Sequence, residues 1–345
     1  MQEHIEHTRK TYPQDWKAYN AAQTSEKAQF LKFLYDLCGT VKDPTPQIRG
    51  RPRLSLNDAL FSICYKIFST YSGRRFMSDL NDAQAKGYIF RTPHYNTLFN
   101  YLENEALTPI LHDLIVQTSL PLAAIETDFA ADSSGFTSSR VSRWYDHKYG
   151  QQKQHDWVKV HIMCGVKTNI ITAVEIGGKN AHDSPMLPAL IEKTSDNFTM
   201  SEVSADKAYG SIKNYDAISY VGAVPYIPFK EYQSYKDPDR PRNQWSRQTR
   251  SDRVVNHLLW NKMYHLFKFH EEEFRAHYHK RSNVETTFSM IKAKFGGNVK
   301  SKTDIAMTNE ALCKIVCHNI CVLIQEMHEL GIDVNFLSAQ KILSL

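Results

Sequence analysis

The sequence predicts an α/β protein: a mostly helical N-terminal region over residues 1–118, then a mixed-sheet core with helices over 119–345. Three observations predict it. Apolar residues recur at helical spacing through the first of these regions. Strand-like alternation begins just after Pro121 and returns in several short segments. A stretch without Pro or Gly, residues 278–292, then runs as one uninterrupted helix late in the chain.

Taken in order, residues 14–38 form an amphipathic helix whose apolar side is Phe30, Leu31, Phe33, Leu34 and Leu37. Gly39, Pro44, Pro46, Gly50 and Pro52 break the pattern and make 39–53 a linker. Within it Arg49, Arg51 and Arg53 form a compact basic strip. It reads either as a cationic linker or as an arm for an A·T-rich minor groove, where arginines meet a deep negative potential. Ser55 caps a helix through about Ser69 that carries Leu56, Leu60, Ile63, Cys64 and Ile67, and shorter helical pieces follow near 74–86 and 94–117. Such a unit reads equally as a helix-turn-helix-like reader or as a dimerisation and packing region.

Residues 123–132 alternate, with Ile125, Thr127, Phe129 and Ala131 on one face and Glu126, Asp128, Ala130 and Asp132 on the other. Ser133-Ser134-Gly135 is expected to end or bend that strand. Residues 158–165 and 170–176 are strand-like about a turn near Asn169, and Asp183-Ser184-Pro185 opens a helix. A short strand closes on Asp206, a helix follows, and 223–229 gives another strand. Residues 230–256 form a basic loop with seven Lys/Arg against four acids around Trp245, read as solvated or as meeting nucleic acid. Phe295-Gly296-Gly297 stops the long helix, and 309–330 closes the fold. This order of elements is that of a mixed α/β sandwich, of which the ribonuclease H-like fold is one form.

Composition bounds the function. With 42% hydrophobic and 12% aromatic residues the chain buries a sizeable core. A net charge of +5 is compatible with a polyanionic partner without demanding one. The six cysteines include no Cys-x-x-Cys pair. Cys313, Cys317 and Cys321 share one helix face as a buried stripe of reduced thiols rather than a zinc site, because His318 points elsewhere. No apolar signal-peptide core opens the sequence, and no stretch approaches a membrane span, so a soluble, cytoplasmic protein is expected.

The chemistry centres on the long helix. At about 100° per residue, Tyr278, Arg281, Glu285 and Lys292 fall within a sector of roughly 60°. Val284, Phe288, Ile291 and Phe295 form an apolar stripe about a quarter-circle away that anchors the helix. Asp132 and Asp206, at strand ends, join Glu285 as candidates for one carboxylate pocket. Asp128 rivals Asp132 on the same strand face. Three anions within a few ångströms raise one another's pKa unless a cation lies between them, and an all-oxygen set suits Mg2+ or Mn2+. Two such ions about 4 Å apart activate a water or 3′-hydroxyl and steady the leaving oxygen of a phosphodiester. His161, flanked by apolar strand residues, reads as a sheet histidine with a proton relay as the alternative. Trp144 and Trp157 read as core or interface residues.

Tyr278-x2-Arg281-x3-Glu285-x6-Lys292 resembles, position for position, the Tyr-Arg-Glu-Lys signature of prokaryotic insertion-sequence DDE transposases. Ala131-Asp132-Ser133-Ser134-Gly135-Phe136 looks like the first-aspartate segment of that group, and Ala205-Asp206-Lys207-Ala208-Tyr209 is similar to its second. The likeness covers roughly 120–325, with a looser one at the Arg-Gly-Arg-Pro-Arg-Leu approach to the helical region. The resemblance implies a ribonuclease H-like core and divalent-metal cleavage and strand transfer at element ends. It makes Asp132, Asp206 and Glu285 the catalytic, metal-binding acids, and Tyr278, Arg281 and Lys292 DNA contacts near the cut. Its implied partners are double-stranded DNA, as terminal inverted repeats and target, and a second protomer in the DNA complex. A nuclease on the same core and a DNA-binding descendant without catalysis are the rival readings. Any β-rich insertion between Asp206 and Glu285 is expected to be small.

Overall fold

The computed structural model describes residues 15–43, 53–138, 148, 157–178, 181–231, 233, 235 and 250–336, with backbone alone for 250–257. Arg49, Arg51, Trp144 and Trp245 lie outside the described residues, as does most of the basic loop.

Local signals place the N-terminal helices. Helix α1 (Trp16–Gly39) starts where the Asp15 carboxylate accepts from the Lys17 and Ala18 amides, both at 3.0 Å. The Ser55 hydroxyl accepts from the Asp58 amide at 3.1 Å to cap α2 (Leu56–Ser69). Helix α3 (Gly73–Ala85) follows. The 94–117 region is two helices, α4 (Tyr95–Leu102) and α5 (Leu107–Ser119), because the Asn104 side chain and carbonyl stabilise a turn between them.

The sheet holds β1 (Asp128–Ser138), β2 (Trp157–Gly165), β3 (Ile171–Gly177), β4 (Glu202–Ala205) and β5 (Val224–Tyr226), in the order β3-β2-β1-β4-β5. Short β6 (Asn298–Val299) pairs with the far end of β1. Strand β2 runs antiparallel to both of its neighbours, β1 and β3, whereas β4 and β5 run parallel to β1. Ser133-Ser134-Gly135 does not end β1. The strand continues to Ser138 because β2 opposes every residue from Phe129 to Thr137. Gly135 serves a packing need there, since a Cβ would lie 2.8 Å from the Trp157 ring.

Between and after the strands come α6 (Leu187–Ser195), α7 (Ile212–Tyr220), α8 (Arg250–Phe269), α9 (Glu271–Tyr278), α10 (Ser282–Phe295) and α11 (Asp304–Glu329). Alternation on β1 divides the core between two faces. Ala130 and Phe136 pack with α1, α2, α5, α10 and α11, while Phe129 and Ala131 pack with residues of α6 to α9. The helices before residue 120 therefore share a core with one face of the sheet. Gly296, at φ 82°, ends α10 where a side chain is disfavoured.

Helix α11 is, among the described helices, long and apolar enough to cross a membrane by length and composition, which corrects the expectation that no stretch approaches a span. Its most apolar window is 89% buried between the N-terminal helices and the sheet, so its apolar surface is spent on the core. Cys313 and Cys317 lie buried on it as small core residues, and the Cys317 thiol donates to the Cys64 carbonyl at 3.3 Å.

Asn319 ties three elements together. Its amide oxygen accepts from the Ile171 amide at 3.0 Å, and its Nδ2 donates to the Ile171 carbonyl at 2.8 Å and to Thr118 Oγ1 at 3.0 Å. One side chain thus serves as a strand partner for β3 while holding α5. Asn319→Leu leaves the Ile171 amide and carbonyl without that partner, while the Thr118 hydroxyl keeps the Ile115 carbonyl at 2.8 Å, and the expected cost is about 2–4 kcal/mol in urea unfolding. A loss below about 0.5 kcal/mol contradicts this account.

Candidate active site

The register of β1 on β4 brings the first two acids together. Ala131 pairs with Ala205, and both side chains face the α6–α9 core. The next residue on each strand, Asp132 and Asp206, therefore turns to the other face, on neighbouring strands about 4.8 Å apart. Asp206 keeps extended backbone, and its carboxylate accepts from the Lys207 amide at 2.6 Å, starting a 3-10 turn. Asp132 accepts from the Ser133 amide at 2.8 Å.

That face is covered by the helical run carrying the third acid. The run is helical throughout 271–295, but it is not one α-helix: a 3-10 turn at His279–Arg281 separates α9 from α10. Three residues wound at about 120° rather than 100° rotate Tyr278 by roughly 60° relative to Glu285. Even so, the motif side chains converge. Arg281 bridges the acids, with Nη2 2.7 Å from Asp132 Oδ2 and Nη1 2.8 Å from Glu285 Oε1. Its Nε is buried with no partner among the described residues. Glu285 is 56% exposed, against 19% for Asp132, so its carboxylate is the one free to turn.

Electrostatics record the same convergence. Burial pushes the Asp132 carboxyl up from its ordinary value, and the Asp206 charge adds to this while the Ser133 amide and Arg281 oppose it. Burial also raises the Tyr278 phenol; Arg281 opposes that shift, and Asp206 and Glu285 reinforce it. Lys292 Nζ donates to Ser134 Oγ at 2.6 Å, two residues beyond Asp132 on the same strand face, and lies 5.6 Å from the Phe136 ring centre. Burial lowers its pKa.

The rival Asp128 is occupied differently, accepting from Lys280 Nζ at 2.7 Å. His161 is buried opposite Ser133, on the face behind Asp132, with Nδ1 3.4 Å from the Tyr209 hydroxyl and 3.5 Å from Asp183 Oδ1. Sequence reasoning missed Lys280, Asp183 and Lys159, whose ammonium lies 2.6 Å from Asp183. Lys280 was findable from its place beside Arg281; Asp183 and Lys159 carried no local signal. Arg53 is exposed just before the Ser55 cap of α2. Among the described residues between Asp206 and Glu285, β5 is the strand present, and no β-rich insertion is seen.

No three His, Cys, Asp or Glu side chains among the described residues form a metal-holding group as they stand. The donor set nonetheless fits a hard divalent cation. It is all oxygen and anionic, and a guanidinium already sits as counter-charge between Asp132 and Glu285.

Residues 124–320 match the family model described as the transposase DDE domain. The chain belongs to that family. The matched segment runs from just before β1 into α11, taking in the whole sheet and the acid-bearing helix. A helical region followed by a mixed sheet is consistent with the ribonuclease H-like fold of DDE transposases. The DDE transposase family implies a nucleic-acid-cleaving enzyme that binds DNA, and its members generally use divalent metals such as Mg2+.

Proposed function

We propose that this DDE transposase cuts and joins DNA at the ends of an insertion sequence, with Asp132, Asp206 and Glu285 as its catalytic acids. The observation that carries the reading is the Ala131–Ala205 register, which sets two aspartates side by side under a helix whose Arg281 links Asp132 to Glu285. Asp132, Asp206 and Glu285 would hold Mg2+ or Mn2+. Such an ion, when bound, polarises the attacking water or 3′-hydroxyl and stabilises the leaving oxygen. Arg281 neutralises the acids in the protein alone. Turned toward a DNA phosphate, it makes charge-assisted bonds there and releases both carboxylates. Lys292, parked on Ser134, is placed for a phosphate beside the cut, and Tyr278 completes the Tyr-Arg-Glu-Lys signature.

In this reading residues 1–118 bind DNA or the second protomer, with Arg49, Arg51 and Arg53 on the duplex, and 119–345 form the catalytic domain. In the same reading a homodimer in the DNA complex brings the two ends together. The test uses the full chain, Mg2+ and DNA carrying the inverted repeats that flank its gene. Nicked ends and joined products are expected. Cutting without joining points instead to a structure-specific nuclease, and shifted DNA that is never cut points to a binding descendant.

A further inference from the structure

Arg281 has a neighbour in the 3-10 turn whose contacts lie at the opposite end of the same strand segment. Lys280 Nζ is 2.7 Å from Asp128 Oδ2 and 2.6 Å from Glu202 Oε2. Those two acids are register partners, Asp128 on β1 facing Glu202 on β4. His277 Nδ1 lies 2.8 Å from the other Glu202 oxygen, and its ring stacks on Tyr226 at 4.4 Å and 7°. Two adjacent carboxylates repel, so each needs a fixed cation, and Lys280 supplies one to both.

Asp128 and Asp132 share a strand face four residues apart, a span of about 13 Å. Consecutive residues of a 3-10 turn diverge by about 120°. Lys280 therefore reaches down the strand pair to its first rung while Arg281 reaches up to the acid near its end. The turn is clasped to the sheet at two points, and Glu285 follows within about one helical turn of the upper one. The two-point clasp fixes both the rotation and the height of α10 against β1 and β4.

We infer that Lys280 is a positioning residue: its ion pair with Asp128 and Glu202 sets the register of the glutamate-bearing helix against the two aspartate-bearing strands. This rests on the catalytic reading of Asp132, Asp206 and Glu285. It differs from a DNA-contact role because the ammonium is spent on two carboxylates, both less than a third exposed.

The experiment compares wild type, Lys280→Gln and Lys280→Arg as full chains. Lys280→Gln is expected to slow single-turnover cleavage of end DNA about 30-fold, since misplacement by an ångström costs on that order. Mn2+ affinity measured calorimetrically without DNA is expected to fall about 10-fold, as for other residues that support metal ligands. Kd for end DNA should stay within about twofold with the same salt slope. Lys280→Arg, which keeps the charge pair, should recover most of both losses.

Wild-type Mn2+ affinity and rate in a folded Lys280→Gln protein overturn the inference. So does a flattened salt slope, which makes Lys280 a phosphate contact. A fall in Tm that arginine restores without restoring Mn2+ affinity makes the pair merely structural. Should wild type itself cut nothing, a weakened Mn2+ affinity together with faster amide exchange over 279–288 in Lys280→Gln upholds the clasp while the catalytic reading fails.

Discussion

Alanine at Asp132, at Asp206 or at Glu285 lowers strand cleavage and joining by about 10³-fold or more, a loss of about 4 kcal/mol of transition-state stabilisation. Binding of end DNA stays within about threefold, because phosphate contacts come from cations and not from these acids. The three effects should not add. If the three acids hold one ion between them, losing any one would misplace it, and a double variant is then expected to be scarcely slower than a single one, as for residues acting as a unit. Stability gives the control. Asp132 and Glu285 each face Arg281, so removing one leaves that guanidinium the other, and Tm should move by only a few degrees. Gel analysis of cleaved and joined strands, with thermal unfolding alongside, decides the matter. Wild-type activity in any one variant removes that residue from the set.

Arg281→Ala has two opposite consequences. Without the guanidinium between Asp132 and Glu285, a divalent ion no longer competes with an internal cation, so Mn2+ binds about 10-fold more tightly in the absence of DNA. The complex with end DNA weakens, and its log–log salt dependence flattens by about one unit for the lost phosphate contact. Arg281→Lys restores neither property in full, since a single ammonium lacks the fork that spans two carboxylates. Calorimetry with Mn2+ and binding titrations over a salt series read the two effects separately. Unchanged Mn2+ affinity together with an unchanged salt slope refutes the bridging role. The neighbouring cations thus act with opposite sign, with loss of Arg281 strengthening Mn2+ binding and loss of Lys280 weakening it.

Much of this was legible locally. Ser55 announced the start of α2 because an N-cap is a contact over three residues, and Gly296 announced the end of α10 because its φ of 82° suits glycine. The strand leading to Asp132 showed its period of two. Other features were hidden for a common reason. Ser133-Ser134-Gly135 has turn composition, yet β2 holds it as strand by pairing, and pairing partners are distant in sequence. The 3-10 turn at 279–281 lies in a stretch with no breaker residue, and cross-element ion pairs from Lys280 and Arg281 hold it to β1. Asn319 resembles any polar residue on a helix until β3 is laid against it.

The sequence alone set out the candidates for the chemistry: Asp132 and Asp206 in segments that resemble those of a known family, and a helix with Tyr278, Arg281, Glu285 and Lys292 at fixed spacing. It also determined the α/β class, since hydrophobic period and capping are short-range properties of the chain. The tertiary structure decided that Asp132 and not Asp128 meets Arg281, that Lys280 takes Asp128, and that the acids of β1 and α10 are joined through a guanidinium. Those choices depend on strand register and on the face a helix presents. Both are settled by packing between segments far apart in the chain, which no local pattern records.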